Sequence, residues 1–544
     1  MKLIWIISLA SVIGLAGLGC SDFLEREPKN MLYPDTYYNS EKNLEAALTG
    51  VYSTLGDTYL YGNNYVVGLG NDADESYYFR STYTYGPVIY NHTASDAGVS
   101  NLWTILYKGI GRANLLLYKL PQAEVEEKVK ERIKGEALFL RGYFYFLLVQ
   151  TFGSVPLVLE PTLVPENMSV PQSSPADVYA QILKDMEMAE GLVFTLNDVN
   201  HAGRVTQSAV RGILARVCLY MAGEPVNDIT KYKDARYWCK KVMEDTEFKH
   251  ALNPDYRQVF INLAQDKYDT KESIWEVEFW GNLSDAYGET GIIGGMNGIN
   301  NDYDPEIGIA RGMYAATGTF YKVYEEDDTL RRDWNIAPFT YSSTPDEKDN
   351  SKYHTVKVYH APESYWRRYL GKYRREMETL VPKAAHNTPI NYPLLRYSDV
   401  LLMYAEAENE LFRMPTGAAY NAINQVRRRA FGKLMEGAVD VDKYDVRGLD
   451  YRSFQKIVRE ERSRELCFES LRKGDLIRWG IFVERMHEVA DDIEQDMADV
   501  KEVNYKPASY CVTGFRNVSE KHTLQPIPAK ELSLNRLLKQ NPSW

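Results

Sequence analysis

The ten residues Glu460-Glu-Arg-Ser-Arg-Glu-Leu-Cys-Phe-Glu469 hold the densest set of groups that could do chemistry. Glu461, Glu465 and Glu469 recur at i, i+4 spacing, which sets three carboxylates on one helical face. Paired carboxylates are the equipment of general acid/base catalysis, and of glycoside hydrolysis in particular. The same stretch interleaves cations. Glu460 and Arg464 stand at the favourable i, i+4 spacing, and Arg472, Asp475 and Arg478 follow closely. Alternating sign at this density predicts ion pairs that join helices, not an open acid/base site.

Other catalytic patterns are missing. There is no G-x-x-x-x-G-K-[ST] to cradle phosphates, no G-x-S-x-G elbow and no H-E-x-x-H. Gly109-Ile-Gly111 lacks a third glycine and follows no strand, which excludes a dinucleotide fingerprint. His487-Glu488 has no second imidazole four residues away and reads as a surface pair on a helix. With eight histidines in all, little material remains for a zinc site. Asn71-Asp-Ala-Asp-Glu75 offers oxygen ligands for calcium, but it has neither a glycine nor a distal glutamate at EF-hand spacing. A solvated or hydrogen-bonding loop is the expectation there, and no metal or cofactor is expected anywhere.

The chain of 544 residues carries 63 basic and 75 acidic side chains, a formal charge of −12. No basic stripe is present to contact phosphates, so nucleic acid is excluded as a partner. The unusual count is 41 tyrosines, eight of which fall between Tyr59 and Tyr90. Tyrosine joins a flat apolar face to a polar tip, so a local excess suits a contact surface, although any one of them can instead fill a core.

The N-terminus bears on location. Lys2 precedes an apolar run from Leu3 to Gly19, shorter than the ~20 residues of a bilayer span. Gly17-Leu-Gly-Cys20 then reads as a lipoprotein cleavage site, with residues 1–19 as signal peptide and Cys20 as the acylated residue. Gly17 stands where leucine is usual. An ordinary signal-peptidase site and a single anchor helix are the alternatives. Cys218, Cys239, Cys467 and Cys511 form no CxxC pair; buried small apolar side chains are expected, with a Cys218–Cys239 disulfide left open.

Helical periodicity, which must position these groups, predicts helices over 42–56, 101–120, 125–152, 175–192, 207–222, 231–246, 396–413, 416–431 and 450–473. The end of 125–152 is apolar nearly all round, which predicts burial on most sides, and Gly142 within it predicts a close helix contact. Pairwise grouping suggests stacked helical hairpins, although the roughly 34-residue tetratricopeptide period is not kept cleanly. Residues 57–100 and 265–390 break the pattern. In the second, Ser273-Ile-Trp-Glu-Val-Glu-Phe-Trp280 alternates as a half-buried strand does.

Glu461-Arg-Ser-Arg-Glu-Leu-Cys-Phe-Glu-Ser-Leu-Arg-Lys-Gly-Asp-Leu-Ile-Arg-Trp479 resembles the most distinctive motif of the SusD/RagB family of Bacteroidetes lipoproteins. Further stretches agree in order: Cys20-Ser-Asp-Phe-Leu-Glu-Arg-Glu-Pro28, Leu102-Trp-Thr-Ile-Leu-Tyr107 with Arg112-Ala-Asn114, and Glu136-Ala-Leu-Phe-Leu-Arg-Gly-Tyr-Phe-Tyr-Phe146. Leu395-Arg-Tyr-Ser-Asp-Val-Leu-Leu-Met-Tyr-Ala-Glu-Ala407, Asn424-Gln-Val-Arg-Arg-Arg429 and the tail from Gln525-Pro-Ile-Pro528 to Pro542 follow. The tail departs from the family in ending Pro-Ser-Trp. The resemblance implies a mostly α SusD-like fold, with tetratricopeptide-like hairpins and an irregular ligand-facing part with little β. On this reading residues 20–544 are one domain, its scaffold at about 40–260 and 392–544 and its insertion at about 265–390. The resemblance also implies a surface-exposed, lipid-anchored outer-membrane protein. Such a protein would bind oligosaccharide or polysaccharide and deliver it to a SusC-like TonB-dependent transporter.

These motifs belong to the scaffold and do not name the ligand. A glycan platform, with aromatic planes against sugar C–H faces and polar groups at the hydroxyl edges, is expected from Asp74, Tyr77, Tyr78, Arg80 and Tyr83 in the first irregular region. Trp280, Asn282, Tyr287, Trp334 and Tyr341 are the candidates from the second. The acidic chain disfavours acidic ligands unless Arg367-Arg368 or Arg374-Arg375 locally override it. A RagB-like peptide receptor and a lipid-anchored glycoside hydrolase are the alternatives; no enzymatic activity is expected.

Overall fold

The computed structural model describes residues 37–70, 72–163, 169–281, 290–349 and 352–544. Residues 1–19, the expected signal peptide, and Cys20, Asn282 and Tyr287 lie outside the described residues. The helices are α1 (Glu41–Tyr52), α2 (Ala97–Lys119), α3 (Glu127–Phe152), α4 (Pro175–Glu190), α5 (Gln207–Ala222), α6 (Lys231–Met243) and α7 (Tyr256–Ala264). They continue as α8 (Thr329–Asn335), α9 (Tyr397–Phe412), α10 (Gly417–Ala430), α11 (Tyr451–Leu466), α12 (Arg472–Arg478), α13 (Phe482–Asp499) and α14 (Cys511–Asn517), with a few single turns between. The fold is mostly α, as expected.

Local chemistry sets the helix starts. Ser40, Asp96, Ser174, Thr206, Thr416 and Asp450 each accept a backbone N–H of the first turn, satisfying donors that have no intrahelical partner. Helix α3 is buried from Ile133 onward on nearly every side. It packs against α2 and α4; α4 packs against α5, α5 against α6, α6 against α9, and α9 against α10 and α11. Stacking of successive helices is what the pairwise grouping predicts. A Cβ on Gly142 would sit 3.2 Å from Met186 Cγ of α4, the close approach inferred from the sequence. Helix α11 ends at Leu466, short of residue 473, because Phe468 and Ser470 adopt positive φ (60° and 57°) that a helix cannot carry.

The strands are short, and besides a two-residue pair, Val155–Pro156 with Gln172–Ser173, there are six among the described residues. They are β1 (Ser76–Tyr78), β2 (Ser273–Val277), β3 (Tyr314–Ala316), β4 (Phe339–Pro345), β5 (Tyr353–Tyr359) and β6 (Tyr392–Arg396). Antiparallel pairs form as β1–β3, β2–β6 and the β4–β5 hairpin. Every residue of β2 is buried, which corrects the expected half-burial, because β6 flanks it and Phe139 and Tyr143 of α3 pack edge-on against Trp275. All four described cysteines are buried and free, so Cys218 and Cys239 form no disulfide. Among the described residues no helix is long and apolar enough to cross a membrane.

Candidate functional site

The carboxylates that open the sequence reading are structural. Glu461, Glu465 and Glu469 are buried. Arg331 reaches Glu461 at 2.7 Å and Glu465 at 3.3 Å; Arg429 reaches Glu465 at 2.6 Å; Arg396 and Lys372 reach Glu469 at 2.7 and 2.6 Å. Burial works to raise the Glu461 carboxyl, yet Arg331, Arg464 and Arg427 hold it well below its ordinary value. Glu469 borders only a cavity of about 20 Å³, too small for a sugar unit, and all three carboxylates are bound to these cations. The network instead fastens α11 to α8, α10 and the segment before β6.

The 72–75 loop is held the same way, which corrects the expectation of a ligand-facing Asp74. Its carboxylate is buried and accepts Arg472 at 2.8 and 2.9 Å and Arg485 at 2.8 Å. Asp72 accepts Lys473 at 2.6 Å, and Glu75 accepts the Phe468 backbone N–H at 3.1 Å. Burial pushes Asp72 up to about 6, against the pull of Lys473, and Glu75 up to about 8. The loop hydrogen-bonds within the protein and is not solvated. Among the described residues, no cluster of three or more His, Cys, Asp or Glu side chains could hold a metal ion.

With the loop fixed, β1 emerges beside β3 and alternation sorts its side chains. Tyr77 turns inward and is buried, its hydroxyl donating to the Trp366 carbonyl. Tyr78 turns outward, half-buried, with its ring 4.6 Å from that of Tyr83, which is 41% exposed. Gly86, at φ 131°, leaves room for Tyr83, whose hydroxyl a Cβ there would strike. Phe79 meets Tyr369 edge-on at 5.7 Å. Gly312, at φ 53°, passes so close beneath Tyr369 that a Cβ would lie 2.6 Å from the ring. Arg80 donates to the carbonyls of Phe79 (2.7 Å), Gly312 (3.0 Å) and Arg311, so it stitches β1 to the approach to β3.

Partly exposed rings therefore lie to both sides of β1, Tyr78 with Tyr83 on one and Phe79 with Tyr369 on the other. Tyr369 and Tyr341 flank a small apolar cluster of Ile299, Ala337 and Phe339. Arg311 and Asp302, both partly exposed, pair at 3.7 Å nearby, and Asn300 donates to Asp302 at 3.0 Å. Tyr303, 60% exposed, stacks on Tyr353 with centroids 6.0 Å apart. A cleft of about 130 Å³ opens beside Tyr78, Arg80, Tyr83 and Tyr510. Asp72 Oδ1 in its lining has no hydrogen-bond partner among the described residues.

The remaining sequence candidates divide. Trp280 is 50% exposed just beyond β2, where its neighbour Phe279 packs on Gly56 and Gly291. Tyr341 is half-buried; its hydroxyl donates to Glu376, and Lys357 Nζ lies 6.0 Å from its ring centre. Trp334 corrects its assignment, as does Tyr77. Both are buried, and the Trp334 ring is covered by the Arg374 guanidinium at 4.1 Å while its N–H donates to the Lys372 carbonyl at 3.2 Å. Arg368, Arg374 and Arg375 are likewise buried, donating to backbone carbonyls, so those pairs do not present a basic patch. Sequence reasoning missed Tyr369, Tyr510, Tyr303 and Tyr353. Tyr369 and Tyr510 reach the neighbourhood of β1 only through long-range contacts, and Tyr303 and Tyr353 meet each other across fifty positions.

Comparison with known proteins agrees with this architecture. The model of the SusD family matches residues 271–544, and that of a family described as starch-binding and associating with the outer membrane matches residues 22–219. SusD-like protein P25 of Formosa agariphila is 25% identical over 95% of this chain and 94% of its own. The crystal structure of a SusD homolog from Bacteroides thetaiotaomicron superposes with a TM-score of 0.82 at 28% identity, covering 94% of this chain and 98% of that one. A laminarin-binding SusD-like protein shares the fold, with a TM-score of 0.66 at 22% identity over 93% of this chain and 100% of that one. The first model alone spans just over half of the sequence, and the chain belongs to the SusD family.

Proposed function

We propose that the protein is a non-catalytic cell-surface receptor that captures oligosaccharide or polysaccharide on the aromatic surface built from β1 and β3. The carrying observation is the outward pair of Tyr78 and Tyr83 beside the cleft that Arg80 and Tyr510 also line, set on a frame that ion pairs hold in place. Flat rings suit the apolar faces of sugar units, while Arg311, Asp302 and Asn300 offer hydrogen bonds to hydroxyl edges. Trp280 supplies a further exposed indole beyond β2. The laminarin-binding relative makes β-glucans the first ligands to try.

In this reading Cys20 carries the lipid that tethers the protein to the outer membrane, and a SusC-like TonB-dependent transporter receives the bound glycan. Family membership supports both points. Radiolabelled palmitate incorporation that is lost in Cys20→Ala tests the anchor. Copurification of a large outer-membrane barrel with the lipidated protein tests the transporter. Isothermal titration against a glycan panel tests the ligand.

A further inference from the structure

We propose that a pocket remote from the aromatic surface is a second ligand site, one that takes a small organic amine carried on an apolar body. The pocket lies where the C-terminal end of α3, the start of α4, the end of α5, α12 and residues 520–524 meet. Its volume is about 340 Å³, and none of its lining residues borders the cleft beside Tyr78. That volume falls at the lower end of small-molecule sites, roughly 300–1,000 Å³.

The walls are apolar: Val149, Pro175, Pro225, Ile477 and Leu524. Two tyrosines interrupt them. Tyr179 and Tyr220 are 3% and 7% exposed, and their rings pack on Phe146 at 6.3 and 5.0 Å. Neither hydroxyl has a hydrogen-bond partner among the described residues, although both residues line the opening. Both hydroxyls open onto the pocket and are not sealed in the core, so an occupant can take them as hydrogen-bonding partners in place of water. Gly474 passes so close to the Tyr220 hydroxyl that a Cβ there would overlap it, which keeps α12 tight against this wall.

Charge selects the occupant. Arg478 lines the pocket, but its guanidinium is committed to Glu406 at 2.8 Å and to Asp475 at 2.9 Å. Glu224 and Glu520 also line it, and neither forms an ion pair among the described residues. Nearby, Lys473 is held by Asp72 at 2.6 Å, and Lys521 lies over the Trp544 ring at 4.5 Å. The uncompensated charge at the mouth is therefore negative, which attracts a cation and repels an anion. Two hydroxyls, an apolar interior and a carboxylate rim together describe an aryl- or alkylamine.

Three nearly isosteric probes, benzylamine, benzyl alcohol and benzoate, separate charge from shape when titrated into the full chain by ligand-observed NMR. Benzylamine is expected to bind one saturable site, about threefold to tenfold tighter than benzyl alcohol, with benzoate failing to bind. The Tyr179→Phe/Tyr220→Phe variant removes hydroxyls that bond nothing in the protein, so it folds, and it should weaken benzylamine about threefold to tenfold. Glu224→Gln/Glu520→Gln should erase the preference of amine over alcohol. Crystals soaked with 4-bromobenzylamine should show bromine between Val149 and Leu524. A pocket that holds water only, equal binding of benzoate, or unchanged affinity in both variants would overturn the proposal.

Discussion

Arg472 grips Asp74 through two hydrogen bonds, 2.8 and 2.9 Å long, across 398 positions of sequence. The stretch that most resembles the family, Glu461 to Trp479, thus does its work at the other end of the chain, fixing the loop from which β1 and its tyrosines emerge. Arg485 adds a third bond to the same carboxylate at 2.8 Å. Removing one partner of a buried ion pair leaves uncompensated charge, so Asp74→Asn should destabilise the fold by about 3–5 kcal/mol. Urea unfolding measures this. A variant with wild-type stability but no glycan affinity would instead make Asp74 a ligand contact.

Gly312→Ala should cost about 1–3 kcal/mol, because its Cβ would meet the Tyr369 ring at 2.6 Å in a left-handed backbone. The displaced ring should also lower glycan affinity. Gly111→Ala is the contrast: nothing lies within 4 Å of its Cβ, and helix α2 should gain about 0.5–1 kcal/mol. Thermal unfolding of the two variants side by side checks both signs.

Glu465 bonds Arg396 at 2.9 Å and Arg429 at 2.6 Å in a fully buried setting. Glu465→Ala should therefore lower stability by about 3–5 kcal/mol. Purified wild type incubated with oligosaccharides should release no reducing ends. Turnover in the wild type that vanished in a stably folded Glu465→Ala would return this residue to an acid/base role.

The packing of the C-terminal Trp544 on His522 should make stability pH-dependent. Burial, with Lys473, Lys521 and His92 nearby, pushes the His522 imidazole down to about 3. Trp544 packs on it edge-on at 5.3 Å and donates its indole N–H to the carbonyls of Lys521 and Leu524 at 2.9 and 3.1 Å. The unfolded chain takes up this proton near the ordinary value of about 6.5. The folded state therefore loses stability as pH falls below about 6.5, and continues to lose it toward about 3. The gap in unfolding temperature between wild type and His522→Gln should narrow from pH 7 to pH 4. A constant gap would contradict the assignment.

Much of the scaffold was legible because helices advertise themselves locally. Apolar residues at 3.6-residue spacing place α3, α5 and α9 within a residue or two of their observed limits. Helix α13 lies outside the predicted set although it was legible: Phe482, Met486, Val489, Ala490 and Ile493 recur at helical spacing with charged residues between them. The surface was harder to read. The tyrosine excess proved to be of two kinds: Tyr61, Tyr77 and Tyr90 are buried, while Tyr59, Tyr78, Tyr83 and Tyr85 are half-buried or exposed. Which way Tyr77 and Tyr78 turn depends on a three-residue strand that pairs with β3, more than two hundred positions away. Trp334 looked like a ligand-facing ring because nothing in its own segment announces that Arg374 covers it.

The most direct test is isothermal titration of the full chain with a panel of oligosaccharides, β-glucans included, alongside the Tyr78→Ala/Tyr83→Ala variant. The account predicts saturable binding of at least one glycan by the wild type. A weakening of about five- to a hundredfold is expected in the variant, about 0.5–1.5 kcal/mol for each ring, with the variant still folded and its unfolding temperature lowered only by the lost packing of Tyr78 on Tyr314. No glycan binding by the wild type, or equal affinity in the variant, would contradict it.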